Sequence, residues 1–308
     1  MSSTTERSIL VTGASGCIGR HVTPLLEAGG WAVHAVSRRG EVGSDRVTVH
    51  RADLLDPVER ARLVTTIKPS HLLHLAWYIA PGRWAAAPDN YRWVEASLDL
   101  VRLFRDAGGE RVVTAGSCLE YDWSYGYCSE DRTPVAPHTF YGTCKAALGS
   151  LLQGYAATTG FSNAWARIFF LYGPYEHPDR LVASVIRSVL AGQRAQCSHG
   201  RQVRDYLHVR DVADALMRLI ESDVQGPMNI ASGRAVALRD IVLRIGEITG
   251  RPELIELGAI PPAATDTPLV VADVTKLSSE LHWSPQTSLE DGLADTIAWW
   301  RTRAGAAV

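Results

Sequence analysis

The sequence predicts an α/β fold: a doubly wound parallel sheet with a smaller, mostly C-terminal α/β lobe. Three observations carry this prediction. Short apolar runs alternate with segments of helical periodicity, a glycine-rich turn follows the first apolar run, and the pattern loosens after about residue 172. Strands that alternate with long helices are joined by right-handed crossovers, which produce a parallel sheet covered on both faces.

The apolar runs and the periodicity place the elements along the chain. Strands are predicted at 8–11, 32–36, 47–50, 71–76, 111–115 and 164–170, and later helices at 179–192, 209–221, 237–249 and 288–303. No repeat or low-complexity linker divides the chain. We expect a first domain at 1–172 and a second lobe at 173–308, with segments near 204–232 packing back on the first domain.

Composition favours a protein that handles small molecules. The 31 basic and 33 acidic residues nearly cancel, which argues against a nucleic-acid or membrane surface. Five scattered cysteines without CxxC spacing fit neither a disulfide framework nor a zinc site. His71 and His74 lie three apart on a strand and so point to opposite faces, and we expect no metal site. With no signal-like N-terminus and no spanning apolar run, we expect a cytoplasmic protein.

The glycine-rich turn predicts a dinucleotide site. Gly13, Gly16 and Gly19 directly follow the first strand and open a helix. In such a turn the glycines allow a tight bend, close approach to a pyrophosphate and close helix packing, while the helix N-terminus attracts the anion. The alternative is an ordinary glycine-rich turn. We therefore predict a Rossmann domain, with further contacts from three residues of the same turn: Ser15, Cys17 and Ile18.

The end of the second strand favours NADP(H) over NAD. An acidic residue normally binds the adenine ribose there, but this chain has Ser37, Arg38 and Arg39. A guanidinium can bind a 2′-phosphate through paired hydrogen bonds, although surface arginines are the alternative explanation. Further predicted cofactor contacts follow the third and fourth strands: Asp53, Leu54, Leu75 and Ala76. Asp53 suits the adenine edge or caps a helix.

Tyr141 and Lys145 form the predicted reacting pair. They lie four residues apart in a predicted helix, hence on one face, and the chain contains only two other lysines. An ammonium beside a phenol is expected to lower the tyrosine pKa toward neutral, so that the phenol can exchange protons. Ser117, at the end of the fifth strand, is predicted to bind a substrate oxygen or to cap the strand end.

These residues, with later segments, resemble the extended short-chain dehydrogenase/reductases that act on nucleotide sugars, the UDP-galactose 4-epimerase and 4-ketoreductase group. The resemblance covers nearly the whole chain. It includes HLAW at 74–77, ARIFFLYGP at 166–174, QVRDYLHVRDVADAL at 202–216, MNIASGRAVALRDI at 228–241 and ADVTKLSSELHWSPQTSLEDGL at 272–293. It implies that the C-terminal lobe binds the substrate and that the protein is a homodimer.

The resemblance also implies residue roles. Tyr141 would be the acid/base, Ser117 would orient the sugar oxygen, Lys145 would bind the nicotinamide ribose, and Arg204 would meet the substrate diphosphate. The family's dehydratases carry an Asp-Glu pair directly after the serine, where this chain has Cys118 and Leu119. Dehydration is therefore disfavoured, and Cys118 becomes a predicted substrate contact.

Two further departures concern the substrate. Phe170 replaces a family asparagine and is also predicted to contact the substrate, and Ala263 replaces an arginine. We expect reduction of a nucleotide-linked (6-deoxy)hexos-4-ulose. The alternatives are a nucleotide-sugar 4-epimerase, a reductase of small carbonyl compounds and a catalytically silent NADP(H)-binding regulator.

Overall fold

The computed structural model describes residues 7–38, 40, 42, 46–80, 82–261 and 267–304. Within these residues the strands are β1 (Ser8–Thr12), β2 (Ala32–Val36), β3 (Thr48–His50), β4 (His71–His74), β5 (Arg111–Ser117), β6 (Tyr127–Cys128), β7 (Ser162–Ile168), β8 (Phe170–Tyr172), β9 (Ala195–Cys197), β10 (Val203–His208), β11 (Gly226–Ile230), β12 (Ala235–Ala237), β13 (Ile255–Leu257) and β14 (Leu269–Ala272). The helices are α1 (Gly19–Ala28), α2 (Pro57–Ile67), α3 (Asp89–Asp106), α4 (Phe140–Thr159), α5 (Leu181–Leu190), α6 (Val209–Glu221), α7 (Leu238–Thr249), α8 (Thr275–Glu280) and α9 (Leu289–Ala304).

A seven-stranded sheet organises the N-terminal part of the chain. Its strand order is β11-β7-β5-β4-β1-β2-β3, and every neighbouring pair is parallel. The order reverses between β1 and β4, so the connections leave a crevice at their carboxyl ends, where doubly wound sheets bind ligands. The predicted fold class, a doubly wound parallel sheet, is confirmed.

Helices cover both faces of this sheet. On one face α1 and α6 pack through Val22, Leu26, Val212 and Leu216. On the other face α2, α3 and α4 pack through residues such as Leu63, Phe104, Leu148 and Leu152. Both faces are buried, which explains why the strands read as continuous apolar runs rather than alternating ones.

A smaller assembly lies beside the large sheet. A five-stranded sheet has the order β12-β10-β14-β6, with β8 also paired to β10, and β13 pairs with β9. Helices α5, α7 and α9 pack around a core that includes Val185, Ile186, Ile245 and Ile297. The chain alternates between the two parts. β10 belongs to the smaller sheet, the following helix α6 packs on the large sheet, and β11 is an edge strand of the large sheet.

Element bounds agree with the predictions to within two residues, apart from one strand that is divided in two. The predicted strand 164–170 is wrong as a single strand, because the N–H of Phe169 donates to the Ile230 carbonyl and β8 then pairs with β10. β5 continues to Ser117, and β4 already ends at His74. Within the described ranges, no helix combines the length and the apolar character that crossing a membrane requires.

Candidate active site

The glycine turn connects β1 to α1. Gly13 has a φ of +70°, and a Cβ there would lie 2.8 Å from the backbone nitrogen of Ala76. A Cβ at Gly19 would lie 2.3 Å from the Gly13 carbonyl oxygen, so the helix approaches the turn closely. Gly16 is exposed, and no side chain caps the N-terminus of α1. The turn therefore fits a dinucleotide pyrophosphate, which would accept hydrogen bonds from the helix N–H groups.

The other predicted residues of the turn contact the protein in different ways. The Ser15 carbonyl accepts a hydrogen bond from Arg20 at 3.0 Å, and the Cys17 thiol donates to the Pro174 carbonyl at 3.5 Å. Ile18 packs against the hydrophobic core on the face of the large sheet that α1 and α6 cover. Backbone atoms of this turn, rather than the Ile18 side chain, are thus the groups available to a ligand.

Thr12, which sequence reasoning missed, joins the carboxyl ends of β1 and β4. Its hydroxyl accepts hydrogen bonds from the N–H groups of Leu75 at 3.1 Å and Ala76 at 3.2 Å, and shares one of 2.7 Å with His74 Nδ1. These contacts fix the two predicted cofactor residues beside Gly13. A buried polar residue at the end of the first strand was the signal that could have identified Thr12.

The predicted 2′-phosphate contacts lie at the end of β2. Ser37 is buried, and its N–H donates to the His50 carbonyl at 3.1 Å. Arg38 is exposed directly beyond the strand, where its guanidinium is accessible. Arg39 lies outside the described residues, as does Ala263.

Asp53 is exposed near the same edge, and its Oδ1 accepts a hydrogen bond from the Leu55 N–H at 3.0 Å. The cap of α2 is Asp56, so Asp53 is not the helix cap. Leu54 is buried, with its carbonyl bound by Arg60 at 2.6 Å.

Ser117, Tyr141 and Lys145 come together where β5 ends and α4 begins. The Ser117 hydroxyl lies close enough to the Tyr141 hydroxyl to influence its protonation. The Lys145 Nζ lies 5.9 Å from the centre of the Tyr141 ring and donates to the Ala115 carbonyl at 2.7 Å. Ser117 also accepts a hydrogen bond from the Leu119 N–H at 3.2 Å, so it caps the following turn as well as contacting the phenol.

Glycines on α4 allow this close arrangement. A Cβ at Gly142 would lie 2.4 Å from the Leu119 carbonyl oxygen, and one at Gly149 would lie 2.8 Å from Trp165. Thr139 caps the helix by accepting from the Gly142 N–H at 3.0 Å. The helix therefore begins directly against the turn that carries Ser117.

The expected lowering of the Tyr141 pKa is wrong for this structure. Burial raises the pKa of Tyr141, and the nearby Ser117 hydroxyl opposes this only in part. Burial also lowers the pKa of Lys145 to about 7, so at neutral pH its positive charge is only partial. Desolvation of both groups outweighs the attraction that the sequence spacing suggested, and the phenol is protonated at neutral pH.

Tryptophans surround the pair. The Lys145 Nζ lies 3.8 Å from the centre of a Trp77 ring, a cation–π distance, and Trp84 meets the Tyr141 ring edge to face at 5.0 Å. Asn90 holds both tryptophans, accepting from Trp77 Nε1 at 2.8 Å and donating to the Trp84 carbonyl at 2.7 Å. Because Trp77 directly follows Ala76, the reacting pair lies beside the glycine turn.

A cavity of ≈ 520 Å³ is lined by Leu119, Tyr121, Trp123, His138, Thr139 and Thr267. Leu119 lies two positions after Ser117 in the sequence, and Thr139 lies two positions before Tyr141. This volume lies within the range of small-molecule sites.

The three predicted substrate contacts differ in position. The Arg204 guanidinium lies 5.7 Å from the ring centre of Trp123, which lines the cavity, and 5.6 Å from that of Phe170, and Arg204 itself is buried. Phe170 is half-buried and contacts Trp123. Cys118 is 2% exposed and packs into the core with Cys128, which does not favour the predicted substrate contact in this structure.

The carboxylate nearest to Ser117 in the sequence does not face the cavity. Glu120 has no exposed surface and binds Arg167 and Trp165 in the interior. It cannot replace the acidic residues absent at 118 and 119 as an acid or base at the substrate. Among the residues with described positions, no three His, Cys, Asp or Glu side chains form a group able to bind a metal ion.

Comparison with known proteins agrees with this geometry. The model of the "NAD dependent epimerase/dehydratase family" matches residues 9–231. The chain belongs to this family. It is therefore an NAD(P)-dependent enzyme of the extended short-chain dehydrogenase/reductase type, as the resemblance implied.

Family members with assigned activities match over the full length. The chain is 28% identical to dTDP-4-dehydro-6-deoxy-D-allose reductase of Streptomyces bikiniensis, covering 96% of each, and 28% identical to UDP-glucose 4-epimerase of Mycolicibacterium smegmatis, covering 96% of this chain and 98% of the relative. The structure superposes on MoeE5 with UDP-glucuronic acid and NAD at a TM-score of 0.84 and 34% identity, over 96% of this chain and 99% of MoeE5. It superposes on Thermotoga maritima UDP-glucose 4-epimerase at a TM-score of 0.87 and 26% identity, with coverage of 96% and 99%.

Proposed function

We propose that the enzyme reduces the keto group of a nucleotide-linked (6-deoxy)hexos-4-ulose, with NADP(H) as cofactor and Tyr141 as the acid. The observation that carries this proposal is the group formed by Ser117, Tyr141 and Lys145, with Leu119 and Thr139 of the cavity wall two positions from Ser117 and Tyr141 in the sequence. The Streptomyces relative named as a reductase of a 4-keto-6-deoxy sugar supports it.

Each residue of this group has a separate role in the proposed reaction. The bound cofactor supplies the hydride. The Ser117 and Tyr141 hydroxyls bind the substrate carbonyl oxygen, and Tyr141 donates a proton to the alkoxide that forms there. Its raised pKa keeps it protonated at neutral pH, which is the state that reduction needs. Lys145, held by the Ala115 carbonyl, binds the nicotinamide ribose and, with a pKa of about 7, can return a proton to Tyr141.

The cofactor preference rests on the end of β2. The exposed Arg38 guanidinium can bind a 2′-phosphate, and no acidic residue stands in its place to repel one. Solved neighbours contain NAD, for example MoeE5, so NAD is compatible with this scaffold. NADP(H) is therefore the preferred cofactor of the proposal, and NAD is the alternative.

The substrate would extend along the cavity from Tyr141 to Arg204. Aromatic walls suit a sugar ring and a base, and the stacked Arg204 guanidinium suits a diphosphate. Phe170 removes the amide that the resemblance led us to expect, so the diphosphate would depend more strongly on Arg204.

A nucleotide-sugar 4-epimerase is the second candidate. UDP-glucose 4-epimerases match the chain along its whole length, and the more similar MoeE5 was solved with UDP-glucuronic acid and NAD. An epimerase removes a hydride first, which requires deprotonated Tyr141. Arg38, in place of the acidic residue that binds the ribose of NAD, favours NADPH and therefore the reductase.

Purified enzyme should oxidise NADPH in the presence of a nucleotide-linked 4-keto-6-deoxyhexose, and more slowly NADH. Tyr141→Phe preserves the ring contacts and removes the acid, so turnover should fall about 10²- to 10⁴-fold while NADPH affinity stays unchanged. Absorbance at 340 nm and cofactor fluorescence measure the two quantities. Tightly bound NAD with C4 inversion of a sugar nucleotide would instead establish the epimerase, and the absence of any redox turnover by the wild type would favour the silent regulator.

A further inference from the structure

Glu120 is a buried carboxylate that the proposed mechanism does not use. Its Oε1 accepts a hydrogen bond from the Ser117 N–H at 2.6 Å, and together with the Ser117 hydroxyl it forms a capping box at the turn after β5. The carboxylate therefore fixes the backbone from which the Ser117 hydroxyl projects. Gly116 makes this possible, because a Cβ there would lie 2.7 Å from Glu120 Oε1.

Glu120 has a charged and an aromatic hydrogen-bond partner in the interior. Arg167 Nε donates to Oε2 at 2.8 Å, and Trp165 Nε1 lies 3.0 and 2.9 Å from the two carboxylate oxygens. A buried carboxylate without such partners would be costly and would take up a proton. The Ser117 N–H, the Trp165 Nε1–H and the Arg167 guanidinium together give both carboxylate oxygens of Glu120 a hydrogen-bond partner.

The contacts continue from Arg167 into the smaller sheet. Arg167 Nη1 donates to the Tyr121 hydroxyl at 3.0 Å, which in turn donates to Asn229 Oδ1 at 2.7 Å. The Asn229 amide donates to the carbonyls of Cys128 at 3.0 Å and Asp273 at 3.1 Å, at the ends of β6 and β14. Both sheets thus contribute to the position of Ser117.

We propose that Glu120 is a positioning residue for the reaction: it fixes Ser117 and maintains a negative charge close to Tyr141 and Lys145. This inference rests on the proposed function. The charge of Glu120 favours the ammonium of Lys145 and disfavours the phenolate of Tyr141, so it acts on the protonation of both. The other charged or titratable groups that act on them or contact Glu120 are His74, Cys118, Arg167 and Arg180.

Glu120→Gln tests the charge, because the amide keeps the shape and one acceptor oxygen. Its kcat should fall about tenfold to a hundredfold with little change in KM, since Ser117 and Tyr141 would be less well aligned. The pH profile and the titration of Lys145 should both move to lower pH. The chain has only three lysines, so the NMR signal of a labelled Lys145 side chain can be followed directly in the cofactor-free protein.

Glu130→Gln is the matched control. Glu130 is a half-buried carboxylate that accepts from the Asn229 N–H at 2.7 Å, at the far end of the same contacts, and it does not touch Ser117. This variant should keep the wild-type kcat and Lys145 titration. If Glu120→Gln does not fold, the double variant E120Q/R167Q removes both buried charges and should show a smaller downward shift of the Lys145 titration, because the loss of Arg167 acts in the opposite direction.

The result that overturns the inference is a folded Glu120→Gln enzyme with wild-type kcat, pH profile and Lys145 titration, because its role would then be purely structural. The titration needs no substrate. A wild-type enzyme that reduces no ketosugar would refute the proposed function alone, whereas an unchanged Lys145 signal in Glu120→Gln would refute this inference alone.

Discussion

Lys145 shows why a chain that otherwise prefers arginine keeps a lysine at this position. Its side chain is 3% exposed, lies under Trp77 and reaches the Ala115 carbonyl. Burial lowers its pKa to about 7, so the amine can lose its charge in place. A guanidinium, with a pKa above about 12, cannot do so.

Lys145→Arg should therefore reduce both stability and turnover. Burying a permanent charge with imperfect partners costs several kcal/mol, and the larger planar group does not fit between Trp77 and Tyr141. Urea unfolding and NADPH oxidation measure the two effects. Lys68→Arg, at an exposed position beyond α2, should change neither. Equal behaviour of the two variants would contradict the account of Lys145.

At the scale of elements, α4 illustrates what the sequence predicts and what it does not. The spacing of Tyr141 and Lys145 predicted one helical face correctly. The raised pKa of Tyr141 and the lowered pKa of Lys145 were not predictable. Both result from burial of these side chains, which depends on the segment that carries Trp77 and Trp84 and is distant in sequence. The split of β7 from β8 was missed for a similar reason: strand pairing with β10 involves a segment more than 30 residues away.

Two glycines of α4 provide a test of its packing. Gly149→Ala should destabilise the protein by about 1–3 kcal/mol, because its Cβ would lie 2.8 Å from the buried Trp165 ring. Gly154→Ala, on the exposed side of the same helix, should stabilise it by about 0.5–1 kcal/mol, because alanine favours a helix. Urea unfolding of both variants measures these values. Changes of the same sign would contradict the proposed packing.

At the scale of the whole molecule, buried polar groups connect the two sheets to the site. Two buried hydrogen bonds join β1, β4 and α3 beside the glycine turn, and they connect Thr12, His74 and Ser97. The contacts that begin at Glu120 reach the smaller sheet. The sequence predicted the fold class and the family, because local patterns encode both. The homodimer, the cytoplasmic location and the division at residue 172 stay predictions.

His74 should make the stability of the molecule fall in acid. Burial lowers its pKa to about 3, so between its usual pKa of about 6.5 and pH 3 the unfolded chain binds a proton that the folded protein does not. Stability is thus lost as pH decreases through this window, by about 1.4 kcal/mol per pH unit. In His74→Gln this contribution disappears. The free energy of unfolding, measured with urea at pH 7, 6 and 5, should therefore depend less steeply on pH than in the wild type. An equal pH dependence in variant and wild type would contradict this role of His74.

The most direct test of the central claim is the fate of a deuterium label at C4 of the NADPH nicotinamide. During a single turnover with a nucleotide-linked 4-keto-6-deoxyhexose, we expect one deuterium at C4 of the sugar for each NADP⁺ formed, detected by NMR and mass spectrometry. The Tyr141→Phe enzyme should transfer the label about 10²- to 10⁴-fold more slowly. A product whose C4 hydrogen comes from solvent, or a label that stays on the cofactor both from the 4R and from the 4S position, would contradict hydride transfer to the sugar.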